Sequence, residues 1–357
     1  MNTQAAKRNP VYDVAKFMVM LLVVAGHITG NDIVSHESGI SYLGNMNVGL
    51  AMPLFFIVSG YFATSSATRS WGNVLARIIS YFWPLASFGS IFGLSMLMVG
   101  KFEWWKALIY PAVRVYGGSW FLSTLAIIYG VCALVLRIIS PVRYQLLVLF
   151  SFYIALFFTA GQNAISEALR LSSVLDMLPY YVFGMYFLRR YSLHKKMKVA
   201  LPCGLVFLMV IFLEGDVRTN GMGFYWVPKD WQTVVSNRHL LFCFFGRTIV
   251  GITGSVFLLC LIGMIARFVP KFSSLAVFGT TTLGVYVMHE WPLIQVHKYC
   301  SFEPLNEGWK WPLTFGLFLI CHYITISIRD NARLKIFFFG DPKWLASKIN
   351  KWLTRKD

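Results

Sequence analysis

The sequence predicts an all-α fold, a polytopic bundle of about ten transmembrane helices with both termini on the cytoplasmic side. Composition is the first observation: 57% of the residues are hydrophobic and 13% are charged, whereas soluble domains carry about 25% charged residues. The second is a series of apolar runs, several of them near the roughly 20 residues that a helix needs to cross the hydrocarbon core. The third is the distribution of Lys and Arg among the loops.

Ten apolar runs predict the individual helices, at 11–30, 48–63, 75–99, 119–136, 144–161, 174–188, 199–213, 240–266, 272–296 and 311–328. Asp13 and Lys16 within the first run argue against a cleaved signal peptide, so this run is expected to be a retained helix. The second run is short for a span. Pro84 predicts a kink in the third run, and Arg247 is predicted to mark where the eighth helix enters the membrane.

The basic residues set the predicted topology. With the N-terminus inside, 21 of the 32 Lys and Arg residues fall in cytoplasmic segments, as the positive-inside rule requires. The net charge of +17 therefore indicates contact with anionic membrane lipids, and nucleic acid is not expected as a partner.

Two regions are predicted, a transmembrane domain at 1–334 and a basic amphipathic cytoplasmic tail at 335–357. In the tail, Asp341 is placed as a helix N-cap and Pro342 as a first helical residue. The apolar residues that follow share one face and are flanked by lysines, which predicts a helix lying in the membrane interface.

Three ionisable residues lie in the first helix, and each costs about 2.5–3.5 kcal/mol within a span. Asp13 and Lys16 are three residues apart, so they share a helical face and can pair. His27 follows Lys16 by eleven residues, on the same face and roughly 16 Å further along the helix. Two interpretations stay open: an interfacial ion pair beside a packing histidine, or a catalytic site.

Four sequence blocks resemble those of a known family. The first runs from Asp13 and Lys16 to Gly-His at His27. The others are Met-Pro-Leu-Phe-Phe-Ile-Val-Ser-Gly-Tyr-Phe at 52–62, Trp-Phe-Leu at 120–122 and Leu-Gly-Val-Tyr-Val-Met-His at 283–289. In this order they resemble the acyltransferase-3 family of membrane acyltransferases, in particular its fucose 4-O-acetylase-like branch. Lys16 and His27 match the family's pattern of a basic residue, ten arbitrary residues and a histidine.

This resemblance implies a multi-pass O-acyltransferase of the bacterial cytoplasmic (inner) membrane, in its simplest form an O-acetyltransferase. Acetyl-CoA is then a co-substrate rather than a bound cofactor, and the acceptor is a sugar hydroxyl of a cell-surface or lipid-linked glycan. His27 is the expected base, since imidazole has the basicity to take a hydroxyl proton, or it carries the acyl group itself. Lys16 and Asp13 complete the catalytic set.

Further residues are implied as ligands. Arg69, Arg77 and Lys16 are candidates for the phosphates of acetyl-CoA, which favour Arg and Lys, and Arg77 is equally well explained as a cytoplasmic anchor. The candidates for the acceptor are Trp120, His289, Glu290, Ser59 and Tyr61. The departures from the family are Ala51, where related sequences often have His, and the wide spacing of Arg69 and Arg77. No metal site is predicted, because His27 and His289 have no evident third ligand.

Two alternative functions stay open. A transporter or flippase for a lipid-linked glycan or small solute would also need polar residues inside the bundle, although paired broken helices and repeats, typical of such folds, are not evident in the sequence. A glycan polymerase would be expected to have a larger outer loop than the segment at 214–239.

Overall fold

A computed structural model of the chain describes residues 9–30, 33, 47–67, 70–113, 120–159, 171–191, 197–217, 238–299 and 304–353. The secondary structure in these ranges is helical and contains no strand, so the predicted all-α fold is confirmed. Seven of the described helices are long and apolar enough to cross a membrane. Two shorter apolar helices, Gly49–Ala63 and Lys198–Met209, coincide with the second and seventh predicted runs.

The helices follow the predicted runs closely in their order and bounds. They are α1 (Pro10–Gly30), α2 (Met52–Ala67), α3 (Trp71–Met98), α4 (Trp104–Val113), α5 (Trp120–Ile138), α6 (Val142–Thr159), α7 (Leu171–Val182), α8 (Met197–Val217), α9 (Arg238–Phe268), α10 (Ala276–Gly279), α11 (Thr282–Met288), α12 (Glu290–Tyr299), α13 (Lys310–Asp330), α14 (Ala332–Phe339) and α15 (Pro342–Leu353). Segments of π-helix lead into α2 and continue α7.

One predicted span differs from the structure. The run at 272–296 is not a continuous helix but a series of short pieces: a 3-10 turn (Pro270–Leu275), then α10, α11 and α12. The first break falls in a Gly-Thr-Thr-Thr sequence at 279–282, where three consecutive β-branched residues favour helix less than straight-chain residues do. The second break is at His289, directly before α12, and Pro292 then occupies the first turn of that helix, where proline is tolerated.

The described residues divide into two compact units. The first contains Met1–Val58, Phe187–Tyr225 and Ile249–Thr325. Within it α1 is the central element, because it packs against the π-helical segment Asn47–Ala51 and against α10, α11 and α12. Its side chains are accordingly buried along most of its length, from Val11 to Ile28.

The second unit contains Ser59–Tyr186, Trp226–Thr248 and Ile326–Asp357. Here α3 is the central element and packs against α4, α5, α14 and α15. The helices α5 and α7 form a second contact, and Gly60 of α2 lies so close to α7 that a Cβ atom there would come within 2.1 Å of Tyr181 O. The absence of a side chain at Gly60 thus allows the close approach of α2 and α7.

The C-terminal helices are fastened to α3 by specific contacts. Trp83 Nε1 donates to Phe337 O at 2.8 Å, and the Gly72 amide donates to Asn350 Oδ1 at 3.2 Å. The predicted N-cap is confirmed: Asp341 Oδ1 accepts hydrogen bonds from the amides of Lys343 and Trp344 at 3.0 and 3.1 Å.

Candidate active site

The candidate site is built on α1, which begins with Pro10 in its first position and with Asn9 Oδ1 accepting a hydrogen bond from the Val11 amide at 3.0 Å. Asp13 lies in the first turn, where the positive end of the helix dipole favours a carboxylate. Lys16 Nζ lies 2.7 Å from Asp13 Oδ1, and the two side chains are 21% and 5% exposed. The predicted pairing of these two residues is confirmed.

The backbone at Asp13 is held by an unusually close helix contact. A Cβ atom added at Gly279, the last residue of α10, would lie 1.8 Å from Asp13 O. Only glycine permits this approach of α10 to α1. The contact fixes α1 against the broken helix that also carries His289.

The two histidines of the first and last sequence blocks meet in the first unit. The ring centroids of His27 and His289 are 5.0 Å apart, with the ring planes inclined at 70°. His289 is buried and His27 is partly exposed. The two histidines are 262 residues apart in the sequence. The packing of α1 against α11 and α12 brings them into contact.

The hydrogen bond of His289 fixes which of its nitrogens carries a proton. Its Nδ1 lies 2.9 Å from Val285 O, and a carbonyl oxygen only accepts, so Nδ1 is the donor. In the neutral ring the lone pair is therefore on Nε2. His27 lies in the last turn of α1.

A third histidine in the same unit was not predicted as a site residue. His322 of α13 is buried, and its Nδ1 lies 2.7 Å from Thr281 Oγ1, whose hydroxyl donates to Phe278 O at 2.9 Å. His322 therefore donates to Thr281. Its ring also stacks on Phe318, with an interplanar angle of 14°. This hydrogen bond gives the Thr281 hydroxyl a donor partner at the first break of the broken helix. The role of His322 is therefore structural, and the apolar sequence around it did not indicate it.

Four predicted residues lie in the second unit. Arg77 is exposed on α3, where its Nε donates to Tyr81 OH at 3.1 Å and its guanidinium lies 5.2 Å from the ring centroid. Trp120 is the first residue of α5 and is half-buried; Ser59 and Tyr61 flank the close contact at Gly60 and are also half-buried.

The remaining predicted residues are Glu290 and Arg69. Glu290 follows His289 and begins α12 in the first unit, and Arg69 lies outside the described residues. Among the residues that the structure does describe, no three His, Cys, Asp or Glu side chains are grouped to hold a metal ion.

The second unit also contains an ion pair between two helices that the sequence did not predict. Arg247 of α9 is 8% exposed, and its Nη2 donates to Asp176 Oδ1 of α7. Tyr180 OH donates to Arg247 O at 3.0 Å. Arg247 stands near the start of the apolar part of α9, Phe245–Phe268, and in addition neutralises an acidic residue from another helix. Asp176 could have been predicted, because charged residues within membrane helices usually pair with an opposite charge and Arg247 therefore needs an acidic partner.

The class of the protein follows from these features: it is an integral membrane protein, with seven helices among the described residues that are long and apolar enough to cross a bilayer. The model of the acyltransferase domain family matches residues 9–327, a range that includes α1, both histidines and the broken helix. The chain therefore belongs to the acyltransferase-3 family and is a membrane acyltransferase. Searches of the curated proteins and of the solved structures found no match to the chain.

Proposed function

We propose that the protein is an O-acetyltransferase that moves an acetyl group from acetyl-CoA to a sugar hydroxyl of a cell-surface or lipid-linked glycan. The observation that supports this most directly is the contact of His27 with His289, because it joins the first and last family blocks in one place. A family match to an acyltransferase domain calls for a group that can take a hydroxyl proton, and imidazole has the basicity for that task.

His27 acts as the base in this proposal. It takes the proton of the acceptor hydroxyl while the hydroxyl oxygen attacks the thioester carbonyl carbon. The carbon–sulfur bond then breaks, and the thiolate of CoA leaves and takes up a proton. His289 positions His27 and shares the charge: two adjacent imidazoles disfavour two protons, so a proton gained by the pair is readily passed on.

A second route uses His27 as the nucleophile. Its ring nitrogen attacks the thioester, CoA leaves as the thiol, and the acyl-imidazole then transfers its acyl group to the sugar oxygen, which loses its proton. The two routes differ in one measurable respect. The acyl-imidazole route releases CoA before any acceptor is added, in an amount equal to the enzyme.

Lys16 and Asp13 have a separate role at the other end of α1. Eleven residues of helix separate Lys16 from His27 by roughly 16 Å, further than a lysine side chain reaches. Lys16 therefore does not contact a thioester that reacts at His27. We assign it to the phosphates of acetyl-CoA, with Asp13 holding the ammonium in place at 2.7 Å, and the linear pantetheine arm spans the interval.

The other residues predicted to bind acetyl-CoA or the acceptor are proposed on the chemistry of their side chains. Arg77 and Arg69 are the further candidates for the CoA phosphates. Of the candidates for the acceptor, His289 and Glu290 lie with His27 in the first unit and offer hydrogen-bonding groups. Trp120, Ser59 and Tyr61 belong to the second unit and are candidates by side-chain chemistry alone, Trp120 as a stacking face for a sugar ring. The acyl group, the acceptor and the fucose 4-O-acetylase-like assignment rest on the family resemblance.

The test is an assay of the purified full chain in detergent with radiolabelled acetyl-CoA and an extract of membrane and cell-surface glycans. The expected result is a labelled glycan and release of CoA thiol. A flippase moves its substrate between the two leaflets of a membrane and produces no acetylated product. In detergent there are no leaflets, so an acetylated product can come only from acyl transfer. A wild-type chain that binds acetyl-CoA but yields no acetylated product would contradict the proposal.

The matched control is another substitution on α1. Met18 is an exposed side chain of that helix, and Met18→Ala should leave the rate of transfer unchanged. His27→Ala should lower it by about 10²-fold or more, the usual contribution of a general base. Equal rates in the two variants would remove His27 from the chemistry.

A further inference from the structure

A buried lysine, Lys310, is the first residue of α13 in the first unit. It is 5% exposed. The other lysines whose side chains the structure describes are exposed or, in the case of Lys16, paired with a carboxylate. A lysine at the end of a membrane helix usually extends its ammonium group to water. Lys310 therefore departs from the behaviour of an ordinary interfacial lysine.

No negative charge compensates Lys310 within the part of the chain that the structure describes. The ion pairs found there involve other residues, and the first turn of α13 contains no acidic side chain. The helix itself makes the position less favourable, because the positive end of its dipole lies in this turn and disfavours a cation. A buried ammonium group without a counter-charge is unfavourable. The lysine and the helix terminus would both stabilise an anion that binds at this place.

The face of α13 that carries Lys310 packs against α1. Residues 310, 314 and 318 follow one another at intervals of four and share that face, and Thr314 and Phe318 are 0% and 1% exposed. The ring centroid of Phe318 lies 5.1 Å from that of Phe17 of α1. Lys310 is thus on the side of α13 that faces α1.

Lys310 is also at the same end of the first unit as the histidine pair. The Leu305 amide, five residues before α13, donates to Ile33 O, three residues after α1, at 3.0 Å. The two helices therefore run in opposite directions. From the contact between the two phenylalanines, Lys310 is eight residues away on α13 and His27 is ten residues away on α1. These separations are roughly 12 Å and 15 Å, so the two residues lie at a similar height.

We propose that Lys310 binds a carboxylate of the acceptor, which makes the acceptor an acidic sugar. This inference rests on the proposed function and narrows it to one class of acceptor. A carboxylate carries one negative charge, which one ammonium group neutralises, whereas a phosphate monoester carries more than one. A carboxylate held at Lys310 also fixes the sugar ring, and thereby selects the hydroxyl that reaches His27.

The phosphates of acetyl-CoA are a poorer match for Lys310. In the proposed arrangement the thioester reacts at His27, and the pantetheine arm extends from there toward Lys16, roughly 16 Å away along α1. The phosphates are then at the opposite end of α1 from Lys310. Binding of acetyl-CoA should therefore be unchanged when Lys310 loses its charge.

The first measurement is the stability of three variants of the full chain in detergent. Lys310→Met removes the charge and keeps the length of the side chain, Lys310→Arg keeps the charge, and Lys335→Met is the control at an exposed lysine of α14. Lys310→Met should unfold at the same denaturant concentration as wild type or a higher one, because an apolar side chain replaces an uncompensated cation. Unfolding at a lower concentration would mean that Lys310 stabilises the fold, and would contradict the proposal.

The second measurement is the binding of oligosaccharides from the cell-surface glycan extract, used native and with their carboxyl groups reduced to alcohols. Salt at about 0.15 M screens the attraction of exposed lysines for acidic sugars. Wild type should bind the native form about tenfold more tightly or better, as expected when a buried charge gains its partner. Lys310→Met should lose this preference, whereas Lys310→Arg and Lys335→Met should retain it.

Four results would overturn the inference. Equal binding of the two forms by wild type would exclude a carboxylate site, and a preference that persists in Lys310→Met would place the carboxylate elsewhere. A preference that survives carboxyl reduction but disappears when hydrofluoric acid cleaves the phosphodiesters would assign Lys310 to a phosphodiester. Weaker binding of acetyl-CoA by Lys310→Met would assign Lys310 to the donor. Binding requires no turnover, so a chain that prefers the native form but transfers no acetyl group would contradict the proposed function instead.

Discussion

The His27–His289 contact of the first unit and the Asp176–Arg247 ion pair of the second both join residues far apart in sequence, but they differ in chemistry. The ion pair combines opposite charges from two helices, and Tyr180 OH donates a hydrogen bond to Arg247 O. The histidine pair combines two imidazoles, the side chain that serves most often as an acid or base in catalysis. The first arrangement stabilises a helix contact, whereas the second can take part in proton transfer.

The two pairs do not differ in exposure. Arg247 is 8% exposed and the Asp176 side chain is 29% exposed, so each pair joins a buried residue to a partly exposed one. His27 is partly exposed while His289 is buried, so one member of the histidine pair is accessible and the other is held by Val285 O. Chemistry therefore separates the two pairs. The ion pair neutralises charge between two helices, whereas the histidine pair offers an accessible imidazole beside a buried one.

The largest expected effect concerns the histidine pair as a unit. His27→Ala and His289→Ala should each lower acyl transfer by about 10²–10⁴-fold, and the double variant should be no slower than the worse single variant, because residues that act together are non-additive. The measurement is kcat with acetyl-CoA, alongside thermal unfolding in detergent. Additive losses in the double variant would show that the two rings act independently.

The ion pair should respond in the opposite way, in stability rather than in rate. Arg247→Met leaves the Asp176 carboxylate without its counter-charge, so the free energy of unfolding should fall. The loss should be smaller than the roughly 3–5 kcal/mol of a fully buried pair, because the Asp176 side chain is 29% exposed. The double variant Asp176→Leu/Arg247→Met should recover most of this loss, since apolar residues replace both charges. Denaturant titration of the purified protein gives both values.

Activity separates the two roles. The rate of acyl transfer per folded molecule should be unchanged in the Asp176→Leu/Arg247→Met variant. If the single Arg247→Met variant instead loses transfer while unfolding at the wild-type denaturant concentration, the ion pair belongs to the reaction and the distinction between the two pairs is wrong.

The sequence predicted what is local. Helices, the pairing of Asp13 with Lys16 and the N-cap at Asp341 depend on residues within one or two turns, so periodicity and spacing are sufficient to find them. The resemblance also selected both His27 and His289, although no pattern in the sequence states that they touch. Their contact depends on how α11 and α12 pack on α1.

Two kinds of feature could not be predicted from the sequence: contacts between residues far apart in the chain, and helix breaks within a run of high hydropathy. Asp176 and Arg247 are 71 residues apart, and neither indicates the other by its position. The breaks within 272–296 were missed because threonine and glycine barely interrupt an apolar run, so the average hydropathy still resembles one span. The Gly-Thr-Thr-Thr sequence at 279–282 was the available signal, since β-branched residues and glycine both weaken a helix. His322 could not be predicted as a partner of Thr281, because the two residues are 41 positions apart in the sequence.

The smallest expected effect concerns the N-cap of α15, a local contact that belongs to neither pair. Asp341→Ala removes the side chain that accepts from the amides of Lys343 and Trp344, and loss of an N-cap costs about 1 kcal/mol. Hydrogen exchange in the first turn of α15 should therefore quicken about fivefold, with Asp341→Asn, which keeps the acceptor, close to wild type. Acyl transfer should be unchanged, because the family match ends at 327 and α15 lies beyond it. Slower transfer in Asp341→Ala, but not in Asp341→Asn, would mean that the docking of α15 on α3 contributes to the reaction.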